Sequence, residues 1–358
     1  MSYGGDYRVS VYDRFGVYLA ELDCAFHCIW ALNEAGSANF TLSRFDPKCT
    51  ERICRFGNYV VFEHARLGAW GGLILPHDGR DWSGDGFIKM RARSAEFNFS
   101  RRRAPLYDKA DGLFWAGTAG DLFERIINHM NFKSDTRVRP GDIRKGGITM
   151  IVGLRLAMWD RGIAQLIKRT NRRMGGKIWL EPMRGENGRL IFKANFLLTR
   201  GENAGYVLKE DINIETPSGQ FFREDGVLIN DIAVMSSESD GANFQVEYYE
   251  DQDSIGEYGL FEGSDSITSD NEDAIQKYAR DQVKQGSEPN RVFELLAIET
   301  TESPDTFAHI RPGDIANVDL YSVGFWFGRF GVNSRISIDS IEYDTEEDKA
   351  ILVVEEAG

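Results

Sequence analysis

DSIGEYGLFEG (253–263), SDSITSDNEDAIQKYARDQVKQGSEPNRVFELLAIET (264–300) and IRPGDIANVDL (310–320) decide how the rest of the chain is read. The first piece reads as a short strand ending in the turn pair Tyr258-Gly259. A helix follows. Ser269 with Glu272 three residues on forms a capping box, and Ile275, Tyr278, Ala279 and Val283 recur at helical spacing as one apolar stripe. Gly286 stands where a left-handed C-terminal cap is wanted, and Pro289 blocks continuation. After it come a strand announced by Pro289 and a Pro-Gly-Asp turn feeding another. One helix thus interrupts strand-and-turn sequence, and the flanking strands belong to one β-structure.

The order of these signals, "DSI..YG", a helix with paired Ala, "P....F.L", "I.PGD...V" and a closing hairpin, resembles the tail-hub proteins of long-tailed (siphovirus-type) bacteriophages. These are baseplate-hub or tail-associated proteins with a fold like the phage T4 hub. The runs NEAGSANFTLSRFDP (33–47), FGNYVVFEH (56–64) and WGGLIL (70–75) resemble the first barrel of the same family, so the likeness spans nearly the whole chain in order. It implies a homotrimer with two similar barrels per subunit, making a ring of six domains. Such a ring joins the tail tube and distal tail protein to tail-tip and fibre proteins, and lines the path of the tape-measure protein and DNA. DNA then passes without being specifically bound. The resemblance also implies a place in the virion tail tip after synthesis in a bacterial cytoplasm.

At 358 residues the chain is too long for one ordinary core, and 42% hydrophobic content with 23 Phe, 13 Tyr and 7 Trp is ample for several. No apolar run is long enough to span a bilayer, and the N-terminus MSYGGDYR lacks a signal-peptide core, so no stable membrane insertion is expected. Asp and Glu outnumber Lys and Arg by 56 to 42, a net charge of −14. Nucleic-acid affinity rests on phosphate neutralisation by basic side chains, so this balance argues against nucleic-acid binding. An acidic surface also serves solubility alone.

Residues 7–104 read as strands: YRVSVYD and VYLAELD across Arg14-Phe15-Gly16, then CAFHCIWAL, ANFTLSRF, YVVFEH, AWGGLILP and GFIKMRARS. Short strands with turn punctuation suggest a barrel or sandwich. Near 105 the texture changes. Thr118 with Asp121 caps a helix burying Leu122, Ile126, Ile127 and Met130. A second helix from Asp160 turns Ile163, Leu166, Ile167 and Thr170 inward and ends at Gly175-Gly176. KIWLEP and RLIFKANFLL form a hairpin across Gly185–Gly188. From 206 the strands return. The expected fold is therefore mainly β with an α+β insertion: a first β-barrel at 1–104, a small α+β domain at 105–205, and a second β-barrel at 206–358 carrying the helix near 270–285.

No nucleophile elbow, P-loop, H-E-x-x-H or Rossmann glycine pattern is present, so neither an enzyme nor a cofactor is expected. Glu181 or Glu34 would be carboxylate candidates in a rival reading as a tail-associated peptidoglycan hydrolase. A second rival is a receptor- or cell-wall-binding module using FWFGRFG (325–331), whose simpler reading is a hairpin. Cys24, Cys28, Cys49 and Cys54, with His27 and His64 nearby, are metal candidates, but their spacing is looser than C-x2-C and buried thiols are favoured. Disulfides are disfavoured by cytosolic synthesis. A DNA conduit would present acidic side chains, and the candidates are Glu210, Asp211, Glu250, Asp251, Asp253, Asp344, Glu346 and Glu347. Arg101, Arg102, Arg103, Lys168, Arg169, Arg172 and Arg173 should face partner proteins, as should Phe325, Trp326 and Phe327 if exposed.

Overall fold

A computed structural model describes residues 7–76, 86–102, 114–132, 134–145, 150–153, 177–197, 203–222, 228–236, 245–267, 272–287, 291–326 and 329–356. The protein is mainly β. It divides into two compact units, Met1–Asn171 with Gly175–Gly219 and Phe293–Gly358, and Arg172–Met174 with Gln220–Val292.

The first unit opens on β1 (Tyr7–Tyr12), β2 (Tyr18–Leu22), β3 (Phe26–Ala31), β4 (Ser37–Ser43), β5 (Tyr59–His64), β6 (Gly68–Ile74) and β7 (Phe87–Ser94). The expected turn at 14–16 joins β1 to β2, with Gly16 at φ 75° and the Asp13 carboxylate accepting from the Phe15 and Val17 N–H groups. β7 alternates without fault, burying Ile88, Met90, Ala92 and Ser94. β5 does not alternate. Val60 and Phe62 enter one core while Tyr59 and Val61 enter a second, so this strand is covered on both faces. Phe26 of β3 stacks on Phe62 of β5, although three strands separate them in the ladder, so the sheet curls strongly.

The chain continues through a short helix α1 (Phe97–Ser100), β8 (Phe114–Gly117), α2 (Ala119–Met130), β9 (Val138–Ile143), β10 (Met150–Gly153), β11 (Lys177–Arg184), β12 (Leu190–Leu197), β13 (Asn203–Lys209) and β14 (Ile214–Phe222). Helix α2 is the one expected: Thr118 accepts from the Asp121 N–H, and Leu122, Ile126, Ile127 and Met130 are buried. Its last turn is tied to β9 by Asn131, whose amide donates to the Ile127 and Val138 carbonyls. The β11–β12 hairpin is also as expected, with Gly188 at φ 71°. Helix α2 and this hairpin make the second core with Tyr12, Tyr59, Val61 and Leu73. The expected helix at 160–174 lies outside the described residues.

After the second unit, β18 (Arg291–Ala297), β19 (Ile315–Trp326), β20 (Arg329–Asp344) and β21 (Lys349–Glu356) return to the first. The Pro312-Gly313-Asp314 turn feeds β19 as expected, with Gly313 at φ 92°. The strands Asp231–Ser236, Val246–Glu250 and Glu262–Ile267 form a separate three-stranded sheet, so those flanking the helix at Glu272–Gly286 do not belong to one β-structure as expected. Most of the strands expected to form two barrels lie in one 13-stranded sheet, and among the described residues no ladder closes on itself. The join is β20. Its first part pairs with β19, and Ser340–Asp344 pair with Ala31–His27 of β3. Phe26, Phe40 and Phe62 accordingly share one core with Leu295, Val318, Ile336 and Leu352.

In the second unit, β15 (Asp231–Ser236) pairs antiparallel with β16 (Val246–Glu250) and parallel with β17 (Glu262–Ile267). Helix α3 spans Gln252–Tyr258 and α4 spans Glu272–Gly286. The expected stripe of α4 is buried, with Ile275, Tyr278, Ala279 and Val283 packed on Ile232 and Val234. Ser269, of the proposed capping box, lies outside the described residues. Two expectations are corrected. DSIGEYG is helical rather than a strand, because Asp251 caps its first turn through the Ser254 N–H and Gly259 at φ 89° ends it. Gly286 is not left-handed. It is the last helical residue, and a Cβ there would stand 3.2 Å from the Ile229 carbonyl, whose own N–H donates to Gly286.

Gly71 marks the tightest approach between β6 and the hairpin. A Cβ there would lie 2.8 Å from Phe192 Cε1 and 2.9 Å from Pro182 Cβ. Gly71→Val should therefore destabilise the protein by about 1–3 kcal/mol, the usual cost of overpacking a filled site. Thermal denaturation followed by circular dichroism measures this, and an unchanged midpoint would contradict the packing described.

Candidate functional site

The acidic candidates fall in three separate places along the chain. Glu210 departs from its expected role. It is 6% exposed, and its carboxylate accepts from the Tyr321 and Ser322 N–H groups at 2.8 and 3.0 Å, so it is a structural acid rather than a wall charge. Asp211, at φ 64°, accepts from the Tyr321 hydroxyl. That bond is the main reason the phenol is held up to about 12. Asp251 is the cap of α3, while Glu250 and Asp253 are exposed. Asp344 accepts from the Glu346 N–H in the β20–β21 turn, where Glu346 and Glu347 are exposed. Glu250 also stands directly across from Asp231, and Asp231 from Glu262, which puts three carboxylates in one cross-strand row.

Among the basic candidates, Arg101 is exposed and Arg102 donates to the Ser134 carbonyl. Arg103, Lys168, Arg169, Arg172, Arg173 and Phe327 lie outside the described residues. Phe325 and Trp326 pair with Phe330 and Arg329 in the β19–β20 ladder, as the hairpin reading of FWFGRFG expects.

Cys24, Cys28 and Cys54 are buried thiols outside any disulfide, with Cys49 packed beside them. Burial pushes the Cys24 and Cys54 thiols up to about 12, and raises Cys28 as well. His27 Nε2 meets the Glu342 carboxylate at 2.7 Å, and His64 Nδ1 accepts from the Arg66 and Leu67 N–H groups. Among the described residues no three ligating side chains converge as a metal site would require.

What the sequence did not single out is a cleft of about 80 Å³ in the first unit. Its walls come from β3, β6, the end of β7, β11, the turn before β19, and Ile341 of β20. Trp30, Trp70 and Trp179 line it, together with Ser94, Glu96 and Glu181. Two of the indoles are clasped across the curl of the sheet: Trp30 donates to the Ala69 carbonyl at 3.2 Å, and Trp70 to the Ile29 carbonyl at 3.0 Å. Glu96 accepts from the Leu180 N–H at 2.7 Å, and Glu181 is exposed. Arg311 is the cleft's cation. It donates to the Phe307, Ile310 and Arg66 carbonyls, and burial pulls its pKa down against the opposing pull of Asp314 and Glu181. Arg66 in turn pairs with Glu299 and donates to the Pro304 carbonyl, which ties the β5–β6 turn to the 299–311 loop. Of the cleft residues, sequence reading reached only Glu181. Glu34, its companion there, is exposed in the β3–β4 turn.

No protein-family model matches the chain, and no curated protein matches it in sequence. Solved structures do. A tail protein from Neisseria meningitidis MC58 is 14% identical with a TM-score of 0.59, covering 98% of this chain and 97% of that one. The 43 kDa tail protein of prophage MuSo2 from Shewanella oneidensis is 10% identical with a TM-score of 0.59, covering 98% of both chains. Prophage tail protein gp18 from Listeria monocytogenes EGD-e is 14% identical with a TM-score of 0.56, covering 97% of this chain and 94% of that one. The fold is thus that of phage tail proteins, in line with the hub resemblance read from the sequence.

Two outcomes follow from this geometry. A colourless thiol reagent at mildly alkaline pH should modify Cys24, Cys28 and Cys54 only after unfolding, as judged by mass spectrometry with and without denaturant. Rapid native labelling of all four would refute their burial. Like charges directly opposed on neighbouring strands destabilise a sheet, so Glu262→Gln should raise the melting midpoint, and a lowered one would show that the carboxylate row is compensated.

Proposed function

We propose that this chain is a structural subunit of a phage tail tip, a hub that assembles as a homotrimeric ring between the tail tube and the tip. The observation that carries this reading is the end-to-end likeness of fold to three tail proteins, two of them from prophages, each covered almost completely in both directions. Function can differ within a fold, so the reading leans on two further features. The chain is acidic. Its 13-stranded sheet also joins two groups of strands, β1–β7 and those around β19–β21, through β20, and these are the counterparts we propose for the two ring-forming barrels. Three subunits would offer six such groups to a six-fold tube, and closed symmetry leaves no free end for runaway growth. The partners in this reading are the distal tail protein, tail-tip or fibre proteins and the tape-measure protein, with the virion tail tip as the location.

In the same reading the ring encloses the path of DNA. Duplex DNA carries about one charge per 1.7 Å of axis, so a basic wall would hold it and an acidic wall lets it pass. Asp344, Glu346 and Glu347, with Asp211, Glu250, Asp251 and Asp253, are the proposed lining, and the arginine clusters would face neighbouring proteins. The reading includes no catalytic step.

Native mass spectrometry of the protein alone and mixed with the distal tail protein should give three copies per assembly. Six copies, or a monomer that persists with that partner, would overturn the hub assignment. In assembled tails, Glu346→Lys with Glu347→Lys should slow DNA delivery without preventing assembly, and undiminished delivery would remove these residues from the lining.

A further inference from the structure

We propose that the tryptophan-lined cleft of the first unit is a receptor pocket for one guanidinium group, the arginine side chain of a neighbouring protein. Size comes first. A water needs roughly 10–15 Å³ of such space, so about 80 Å³ holds around half a dozen waters. Sites for whole small molecules run to about 300–1,000 Å³. A guanidinium with its adjoining methylenes fits the smaller space, and a pyranose, with about a dozen heavy atoms, does not.

The walls then select the chemistry. Trp30 and Trp70 have their N–H groups committed to the Ala69 and Ile29 carbonyls, and Trp70 is only 2% exposed, so the cleft offers a ligand ring surface chiefly from the half-buried Trp30 and Trp179. Aromatic surface attracts cations, and a planar guanidinium best among side chains, because it stacks as well as carrying charge. Glu96 and Glu181 add two carboxylates. Against them stands one cation, Arg311, whose guanidinium already serves three backbone carbonyls. The balance of the lining is therefore negative.

An independent sign is Ser94. It lines the cleft, is 6% exposed, and its hydroxyl has no hydrogen-bond partner. Buried hydroxyls are rarely left so, and each such exception calls for a missing partner. An entering N–H group would supply one. Since most of the wall stands on strands, little ordering is needed on binding. This inference rests on the cleft alone and holds whichever protein supplies the arginine.

The test uses the full chain and N-acetyl-arginine methylamide, followed by tryptophan fluorescence and by the indole N–H signals in NMR. Saturable binding in the millimolar range is expected, with the neutral isostere N-acetyl-citrulline methylamide about tenfold weaker. Glu181→Gln, at an exposed position, should weaken binding about 5- to 30-fold. Ser94→Ala should weaken it too while leaving the melting midpoint unchanged or raised. Equal binding of the citrulline analogue would overturn the proposal. So would unaltered affinity in both variants, a response to N-acetylglucosamine in place of arginine, or no response up to the solubility limit of the probe.

Discussion

Strand β20 changes partner part-way along its length, and the first unit depends on that change being made without leaving backbone groups unpaired. Up to Ser337 its neighbour is β19. Ile338 then exchanges hydrogen bonds with the turn before β19, accepting from Gly313 and donating to Asp314. Asp339 accepts from the Leu32 N–H, and Ser340 is already opposite Ala31 of β3. On its other side β20 runs along β21, with a register shift between Ile338 and Ser340 that bends the strand at the same point. A buried carbonyl or N–H without a partner is costly, and the handover supplies partners to both groups of Ile338 and to the Asp339 carbonyl. Because it succeeds, strands from both ends of the chain contribute to a single core.

That core is one of two found among the described residues of the first unit. The curl that wraps β3 against β5 and β6 leaves the outer face of β5 and β6 to be covered by α2 and the β11–β12 hairpin. Close approach on that side fixes glycine at 71, and the same approach brings Trp179 and Glu181 alongside Trp30, Trp70 and Arg311. The cleft is therefore a by-product of how two cores share one sheet. Its shape is set by strands, and its charge by side chains at their ends.

Local signals in the sequence were read well where the physics is local. The Thr118 cap, the stripe of α4, the glycine turns at 16, 188 and 313 and the alternation of β7 all depend on residues a few positions apart. Helix α3 was missed because its seven residues bury only Ser254 and so carry no apolar period. Glu210 sits in a polar run that reads as solvated, and its burial follows from Tyr321 and Ser322, more than a hundred positions on. The β3–β20 pairing and the meeting of Trp30, Trp70 and Trp179 were hidden for the same reason. Hydrophobic pattern tells a strand which way to face but not which strand to join.

The bond from the Phe26 N–H to the Thr345 hydroxyl joins residues 319 positions apart. A ribosome adding about 5–20 residues per second takes roughly 15–65 s to cover that distance. During that time β3 has been made and β20 has not, so one side of β3 waits as an open edge of the kind that templates wrong pairings. Folding of the first unit is therefore a race between elongation and misassociation, with the outcome set by how fast the last strands emerge. Slower translation lengthens the exposure, so the yield of correctly folded chain should depend on synthesis rate more steeply than it would for a protein whose strands pair in the order they are made.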